Sequence, residues 1–368
     1  MDRKEIRIGF VGVGQVAKRH MDQYGWCPGA KIVAAADVNE AELKSVADRY
    51  KIPRTFTNFR DMLKMDEIDA VEVCLHNNLH APVAIAALEA GKHVYCEKPM
   101  AGSYCDAKKM LEVARKCRRK LYIQLFTLFS KEIKIAKRLI DDGKLGKIYH
   151  ARSNGFRRHG RPYVDGQWAM NFVKKEIASG GALYDMGVYH IAEMLYLLGM
   201  PKVQRISGKT YQETRMDETR RKISGYNVEE LGLGLVRFDG GITMDIIEAW
   251  AIHMNSFESS WVVGSEGGIR MQPFGFHTTM GDIDTDCSFD VNTFDGRLHA
   301  FNENEDGLDS PPQHWIAALQ GRVPLLPAAE IALQTMLISE GLYLSSKLNR
   351  EVTAEEVERS SKSTAAKV

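Results

Sequence analysis

Along the first 125 residues, short apolar runs of β character alternate with stretches whose apolar positions recur at helical spacing. The runs are Ile6 to Val11, Lys31 to Ala36, Ala70 to Leu75, His93 to Cys96 and Leu121 to Leu125. Between them, Glu40 to Tyr50 and Pro82 to Ala90 read as helices, and Gly91 supplies a stop for the second. Alternation of this kind is the grammar of a parallel sheet wound with helices, so residues 1–125 are expected to form one doubly wound α/β domain.

After residue 125 the grammar changes. One helix, Lys131 to Asp142, closes at Gly143, and the strands that follow are joined by tight turns. Leu231 to Phe238 turns at Asp239-Gly240-Gly241 into Ile242 to Trp250, since Asp-Gly and Gly-Gly supply the positive φ of short hairpin turns. Trp261 to Val263 continues the sheet past a turn at Gly264 to Gly268. Ile191, Leu195 and Leu198 are spaced for burial on one helix face. Helices return at Gln313 to Leu319 and Ala328 to Ser346. Residues 126–352 are therefore expected to form an α+β domain around a large, mainly antiparallel open sheet, which would suit a homo-oligomer. The polar tail 353–368 is expected to fray, and the charged insertion Lys209 to Glu230 to lie in solvent.

Composition narrows the partners. Lys plus Arg number 49 against 48 Asp plus Glu, so a net charge of +1 gives no general attraction to nucleic acid or anionic lipid. No stretch reaches the roughly 18 apolar residues of a membrane helix. The charged start Met1 to Glu5 leads into a run too short for a secretory signal, which points to the cytoplasm. Six cysteines lack any CxxC pair and read as reduced thiols, with no metal expected. Asp282 to Asp286 imitates a calcium loop, but Cys287 and Thr293 occupy the positions where glycine and glutamate are required.

Candidate chemistry begins directly after the first run. Gly12-Val13-Gly14-Gln15-Val16-Ala17 is a G-x-G-x-x-A pattern at a strand-to-helix turn. Gly12 permits the turn, Gly14 lets a pyrophosphate approach the backbone, and Ala17 lets helix and strand pack closely. Asp37 ends the second run 20 residues beyond Ala17, where a carboxylate accepts hydrogen bonds from ribose hydroxyls. Gly12, Val13, Gly14, Gln15, Val16 and Asp37 are the expected cofactor contacts of a Rossmann-type domain. A 2′-phosphate would meet like charge at Asp37, and neither Val38 nor Asn39 compensates, so NAD is expected over NADP. The plain alternative is a solvent-facing turn with Asp37 as a helix cap.

Further along stand Cys74-Leu75-His76-Asn77-Asn78-Leu79-His80 and Ala90-Gly91-Lys92-His93-Val94-Tyr95-Cys96-Glu97-Lys98-Pro99, then Gly180-Gly181-Ala182-Leu183-Tyr184-Asp185-Met186-Gly187-Val188-Tyr189. With the glycine turn, this set resembles the glucose-fructose oxidoreductase, inositol dehydrogenase and rhizopine-catabolism (Gfo/Idh/MocA) family over nearly the whole chain. The resemblance implies oxidation of a secondary alcohol of a sugar or polyol, or the reverse, with NAD(P) in the N-terminal domain. It places Lys98 beside nicotinamide and substrate, before a proline whose peptide is often cis. There its ammonium would stabilise a developing alkoxide, or its amine, with a depressed pKa, would accept the proton. Leu75, His76, Asn77, His80 and Glu97 are implied to lie along the cofactor, and His80 and Asn77 to order the loop. Gln124 joins them by position at the end of the fifth run.

Inositol-dehydrogenase-like members carry D-x-G-x-H. Here Asp185 is followed four positions on by Tyr189, with His190 next, as in the D-x-G-x-Y of glucose-fructose oxidoreductase and dimeric dihydrodiol dehydrogenase. The resemblance thus puts Tyr189 against the substrate hydroxyl, its phenol lowered by Lys98 from an ordinary value near 10. Asp185 would orient the sugar and Lys98. On a regular helix His190 points about 100° away from Tyr189, and it reads as a buried or cofactor-side residue or as a proton shuttle. Arg157 and Trp168 are implied in the sugar pocket, by forking onto hydroxyls and stacking on a ring face; the alternative is a solvated basic loop and a core indole. His20 and His93 read as packing or surface residues.

The expected activity is reversible, NAD-dependent oxidation of a secondary ring hydroxyl of a sugar, polyol or glycoside. A faint whole-chain likeness to bacterial glycoside 3-oxidising members favours C3 of a glucoside. Two rivals stand beside it: a glycosidase that retains NAD and oxidises C3 transiently, and a cofactor-bound sugar sensor without turnover.

Overall fold

The first sheet comprises β1 (Ile6–Val11), β2 (Ala30–Ala36), β3 (Arg54–Phe56), β4 (Ala70–Val73), β5 (His93–Cys96) and β6 (Leu121–Ile123), in the order β3-β2-β1-β4-β5-β6. All its pairings are parallel. Its central strands are buried on both faces, which is why β4 and β5 read as unbroken runs and not as alternations. The order reverses between β1 and β4, and a crevice for ligands opens there at the carboxyl ends of the strands. β3 has no counterpart among the sequence expectations, because Arg-Thr-Phe is too short and too polar to stand out. The chain, a computed structural model, is described at residues 4–166, 169–301, 307 and 309–368.

The second sheet holds β7 (Ile148–Phe156), β8 (Val203–Tyr211), β9 (Leu231–Phe238), β10 (Thr243–Ala249), β11 (Trp261–Gly264), β12 (Gly267–Arg270), β13 (Gly275–Met280), β14 (Ile283–Cys287) and β15 (Val352–Thr353). Their order is β14-β13-β12-β11-β7-β10-β9-β8-β15. β7 and β10 pair in parallel, while the other pairings are antiparallel. The β9–β10 hairpin turns where expected, with Gly240 at φ 67° and Gly241 at φ 80°. The long helix Ala328–Leu348 lies on this sheet and also joins it to the first domain, where Glu340 Oε1 accepts the Tyr104 amide at 2.8 Å. Among the described residues, no helix is long and apolar enough to cross a membrane.

Two expectations are corrected. The tail does not fray: Thr353 and Glu356 form a capping box on the helix Ala354–Ser360. Beyond it, Thr364 N donates to Asp106 Oδ2 and Ala366 N to Asn78 O, each at 2.9 Å. The insertion Lys209 to Glu230 is not simply solvated either. It starts in β8, forms the helix Glu218–Ser224, and ends with Glu229 and Glu230 buried. Glu229 accepts the amides of Gly181 and Leu183, and Glu230 accepts those of Glu213 and Thr214 together with the Arg161 guanidinium. These donors offset part of the desolvation of carboxylates that a count of charges places outside.

Candidate active site

Gly12, directly after β1, sits at φ 88°, and a Cβ there would come within 2.3 Å of the Cys74 carbonyl oxygen. Only glycine fits both constraints. Gly14 caps the helix Gln15–Tyr24 without a side-chain hydrogen bond, and a Cβ on it would meet nothing within 4 Å. The approach to this helix N-terminus is therefore open and its first N–H groups are unspent, which suits an anionic pyrophosphate. Gly14, Gln15 and Val16 face outward, whereas Val13 and Ala17 are fully buried. Asp37, at the end of β2, braces the turn: Oδ2 accepts the Val13 amide and Oδ1 the Asn39 amide, each at 2.9 Å. Each oxygen keeps lone-pair capacity for a ribose hydroxyl.

The turn Glu97-Lys98-Pro99 follows β5, with a cis peptide before the proline. It delivers Lys98 Nζ to Asp185, where it donates to the backbone oxygen at 2.8 Å and to Oδ1 at 3.0 Å. The same Nζ lies over the Tyr189 ring, 4.9 Å from its centroid. Asp185 stands in a π-helical stretch, Leu183–Gly187, that runs into the helix Val188–Leu197 carrying Tyr189. Such wide turns often mark functional positions within helices. Asp185 Oδ2 accepts the indole N–H of buried Trp250 at 3.0 Å and lies 3.8 Å from the Arg157 guanidinium. Phe126 packs edge-on against Tyr189 at 4.8 Å between centroids. Lys98, Asp185, Tyr189 and Arg157, far apart in sequence, thus meet at one place, where the turn after β5 faces the second sheet.

The electrostatics correct two expectations. Burial disfavours the Lys98 ammonium, but Asp185, Tyr189 and Glu97 outweigh it and hold the pKa above the ordinary lysine value. The amine is no depressed base. Burial likewise pushes the Tyr189 phenol up, and the opposing pull of Lys98 is too weak to reverse this. Asp185 stays ionised: burial favours its neutral form, yet Lys98 draws the carboxyl below its usual range.

His190 is pinned beside this cluster. Its Nδ1–H donates to Glu248 Oε2 at 2.9 Å, and Glu248, fully buried on β10, also accepts the Ser153 hydroxyl at 3.1 Å. The ring fits only because residue 155 is glycine, where a Cβ would lie 2.0 Å from His190 Cε1. Arg157 follows the end of β7, two residues beyond Gly155, and its amide continues the pairing by donating to the Ala249 carbonyl at 2.8 Å, so His190 lies close along the chain to the Arg157–Asp185 contact. Burial lowers the imidazole pKa, but Glu248 more than offsets it and brings it up to about 9.

The other expected cofactor contacts have partners within the protein. His80 is fully buried, with its ring nitrogens on the carbonyls of Pro99 and Leu75 at 2.7 and 3.0 Å. It orders the loop and keeps no atom for a ribose. Glu97 points into the interior, its oxygens taken by His20 and the Lys98 amide. His76 accepts from Asn171, and Asn77 donates to the Ala178 carbonyl, so the loop after β4 clasps the segment around the helix Lys175–Ala178. Leu75 backs Gly12, and Gln124, buried beyond β6, accepts the Phe126 amide. Trp168 lies outside the described residues. Arg161, four residues beyond Arg157, is wholly buried against Asp165 and Glu230. Trp250, Glu248 and Glu72 escaped the sequence reading; a glutamate inside each of two apolar strands was the available signal.

Comparison with known proteins identifies the family. Residues 6–125 match the oxidoreductase family with an NAD-binding Rossmann fold, and residues 133–270 match the Gfo/Idh/MocA C-terminal domain. The chain is 27% identical to the D-glucoside 3-dehydrogenase of Escherichia coli K12 over 76% of this chain and 80% of that protein. It is 26% identical to the myo-inositol 2-dehydrogenase of Thermotoga maritima over 53% of this chain and about half (55%) of that protein. Among solved structures, the WlbA dehydrogenase of Bordetella pertussis, in complex with NADH and UDP-GlcNAcA, superposes with a TM-score of 0.76 at 22% identity, covering 96% and 99% of the two chains. Both halves of the molecule carry the same assignment, and the chain is an NAD-binding member of the Gfo/Idh/MocA oxidoreductase family.

Proposed function

We propose that this oxidoreductase removes hydride from a secondary ring hydroxyl of a sugar, polyol or glycoside, with C3 of a glucoside as the first candidate. Residues 1–125 hold the cofactor and 126–352 the substrate. The observation that carries this reading is the meeting of Lys98 with Asp185 and Tyr189 between the two sheets. NAD, when bound along the Gly12 turn and Asp37, supplies the hydride acceptor. Lys98 holds a permanent positive charge where the substrate oxygen becomes alkoxide, and Tyr189, in its phenolate form, takes the hydroxyl proton. Asp185, fixed by Trp250, aims the ammonium and accepts from a neighbouring sugar hydroxyl; Arg157 and His190 border the ring. The C3 assignment leans on the glucoside 3-dehydrogenase, which matches over most of its length.

A screen at 340 nm over sugars, polyols and glycosides tests the reading. NADH should accumulate with a glucoside whose glycosidic bond stays intact. Bond cleavage without NADH would instead identify a glycosidase that retains NAD, and no turnover of any sugar would leave a sensor. Asp37 carries the cofactor preference: Asp37→Asn should raise the NADP-to-NAD ratio of kcat/KM by about 10- to 100-fold, the worth of one hydrogen bond to a charged group. An unchanged ratio would remove Asp37 from the ribose site. Leu233, Leu235 and Ile247 share the outward face of β9 and β10, which a second copy of the chain would cover in a homo-oligomer.

A further inference from the structure

Behind Lys98 runs a buried chain of polar groups that the proposed reaction leaves unused. His20, on the helix Gln15–Tyr24, is 2% exposed. Its Nδ1 lies 2.5 Å from Glu72 Oε1 on β4, and its Nε2 lies 2.9 Å from Glu97 Oε1. Tyr24 donates its hydroxyl to the other oxygen of Glu72 at 2.6 Å. The other oxygen of Glu97 accepts the backbone N–H of Lys98 at 3.0 Å. The chain thus reads Tyr24, Glu72, His20, Glu97, Lys98.

An imidazole with a carboxylate oxygen at hydrogen-bond distance from each nitrogen donates to both only as an imidazolium; a neutral ring would need the proton on Glu72, whose carboxyl burial pushes above its usual range. Without that charge, two carboxylates would face each other in a dry interior, a costly arrangement that apolar side chains of the same volume would avoid. The strand neighbours of Glu72 are the apolar Val71 and Val73, so nothing in the sheet requires a charge at that position. The chain leads instead to one place, the turn that carries Lys98.

Resting on the functional reading above, we propose that His20, clamped as an imidazolium between Glu72 and Glu97, is a positioning residue for Lys98 and that its charge eases proton transfer at Tyr189. The carboxylate of Glu97 joins the two. Held by His20 on one oxygen, it holds the Lys98 amide with the other and so sets the direction from which Nζ reaches Asp185. The groups facing His20 are Glu72, Glu97, the Cys74 thiol at 3.9 Å, and the edge-on Tyr95 ring at 5.7 Å between centroids, with Tyr24 behind Glu72. The two carboxylates and the thiol favour the protonated ring, and burial alone opposes it. The positive charge of His20 pulls the Tyr189 phenol down, against the upward push of burial.

Two measurements test this. In the full-length protein without substrate, 15N NMR of the histidines should show, beside a His190 ring that titrates near pH 9, a second ring that stays protonated on both nitrogens from about pH 6 to 9 and whose signals are lost in His20→Gln. A neutral His20 overturns the proposal whatever the enzyme oxidises, and so does a stoichiometric metal held by His20, Glu72 and Cys74 that a chelator removes. In His20→Gln and the milder Glu72→Gln, kcat should fall about 10-fold or more, with KM for the sugar and Kd for NAD within about 2-fold. In His20→Gln the rising limb of log kcat should also move to higher pH by about half a unit or more. Variants that lose thermal stability but keep kcat and the pH profile of the parent would reduce the chain to a packing feature. If His20→Gln does not fold, the NMR result and Glu72→Gln decide the matter.

Discussion

Lys98→Met is expected to lower kcat by about 10³-fold while leaving NAD affinity within a few-fold of the parent, because removal of a preorganised charge at a developing oxyanion costs roughly 3–4 kcal/mol of transition-state stabilisation. The split follows from the geometry. Nζ contacts Asp185 and Tyr189, whereas the Gly12 turn and its brace Asp37 involve no atom of Lys98. Methionine preserves the buried stem and removes only the charge. Lys98→Arg should fail nearly as badly, since a planar guanidinium cannot replace a compact ammonium that reaches one residue's backbone oxygen and carboxylate together. Asp185 loses its closest cation in Lys98→Met but keeps the Trp250 N–H and, at 3.8 Å, Arg157. The fold should therefore survive at a cost of about 1–3 kcal/mol, visible as a lower Tm. Steady-state turnover with titration of NAD binding checks the prediction; a Lys98→Met enzyme within about 10-fold of the parent kcat would exclude the ammonium from the reaction.

How much of this was legible in the sequence depends on the range of the interactions involved. The strand-turn-helix at Gly12 is local, and its residues carry the whole pattern: a glycine where no Cβ fits, a small residue at Ala17, an acid at the end of the next strand. The hairpin at Gly240-Gly241 was readable for the same reason. Lys98, Asp185 and Tyr189 came from the resemblance and not from spacing, because no local rule links a turn after β5 to a helix flanking another sheet. Their protonation was misjudged. The sequence reading weighed Lys98 against Tyr189 alone, while the structure adds burial, which raises the phenol and is outweighed at Lys98 by the carboxylate of Asp185, so each pKa rises. Glu229 and Glu230 were placed in solvent since a charge count cannot see Arg161 or the amides that receive them. Glu72 and Glu248 were passed over for the converse reason: each is one acid inside an apolar strand, and its partner, His20 or His190, comes from a distant helix.

The proton acceptor can be identified from the shape of the pH profile. A base must be deprotonated to act, so a group with a raised pKa makes oxidation faster as pH rises. His190, brought to about 9, would let log kcat/KM climb and then level near that pH. Tyr189, pushed by burial above the ordinary phenol, would let the climb continue past it. The parent enzyme is expected to keep climbing through pH 9, and Tyr189→Phe to lose about 10²- to 10⁴-fold in kcat together with the slope. His190→Asn should retain the slope and raise KM for the sugar, as befits a donor at the pocket edge. Stability supplies an independent check on the histidine. Its folded pKa lies above the unfolded value, so the His190–Glu248 pair contributes fully below about pH 6.5, and the contribution fades as pH rises through about 9. The Tm gap between the parent and His190→Asn should accordingly narrow across that window. A plateau of the parent profile near pH 9 that disappears in His190→Asn, with Tyr189→Phe still active, would transfer the proton-accepting role to the histidine.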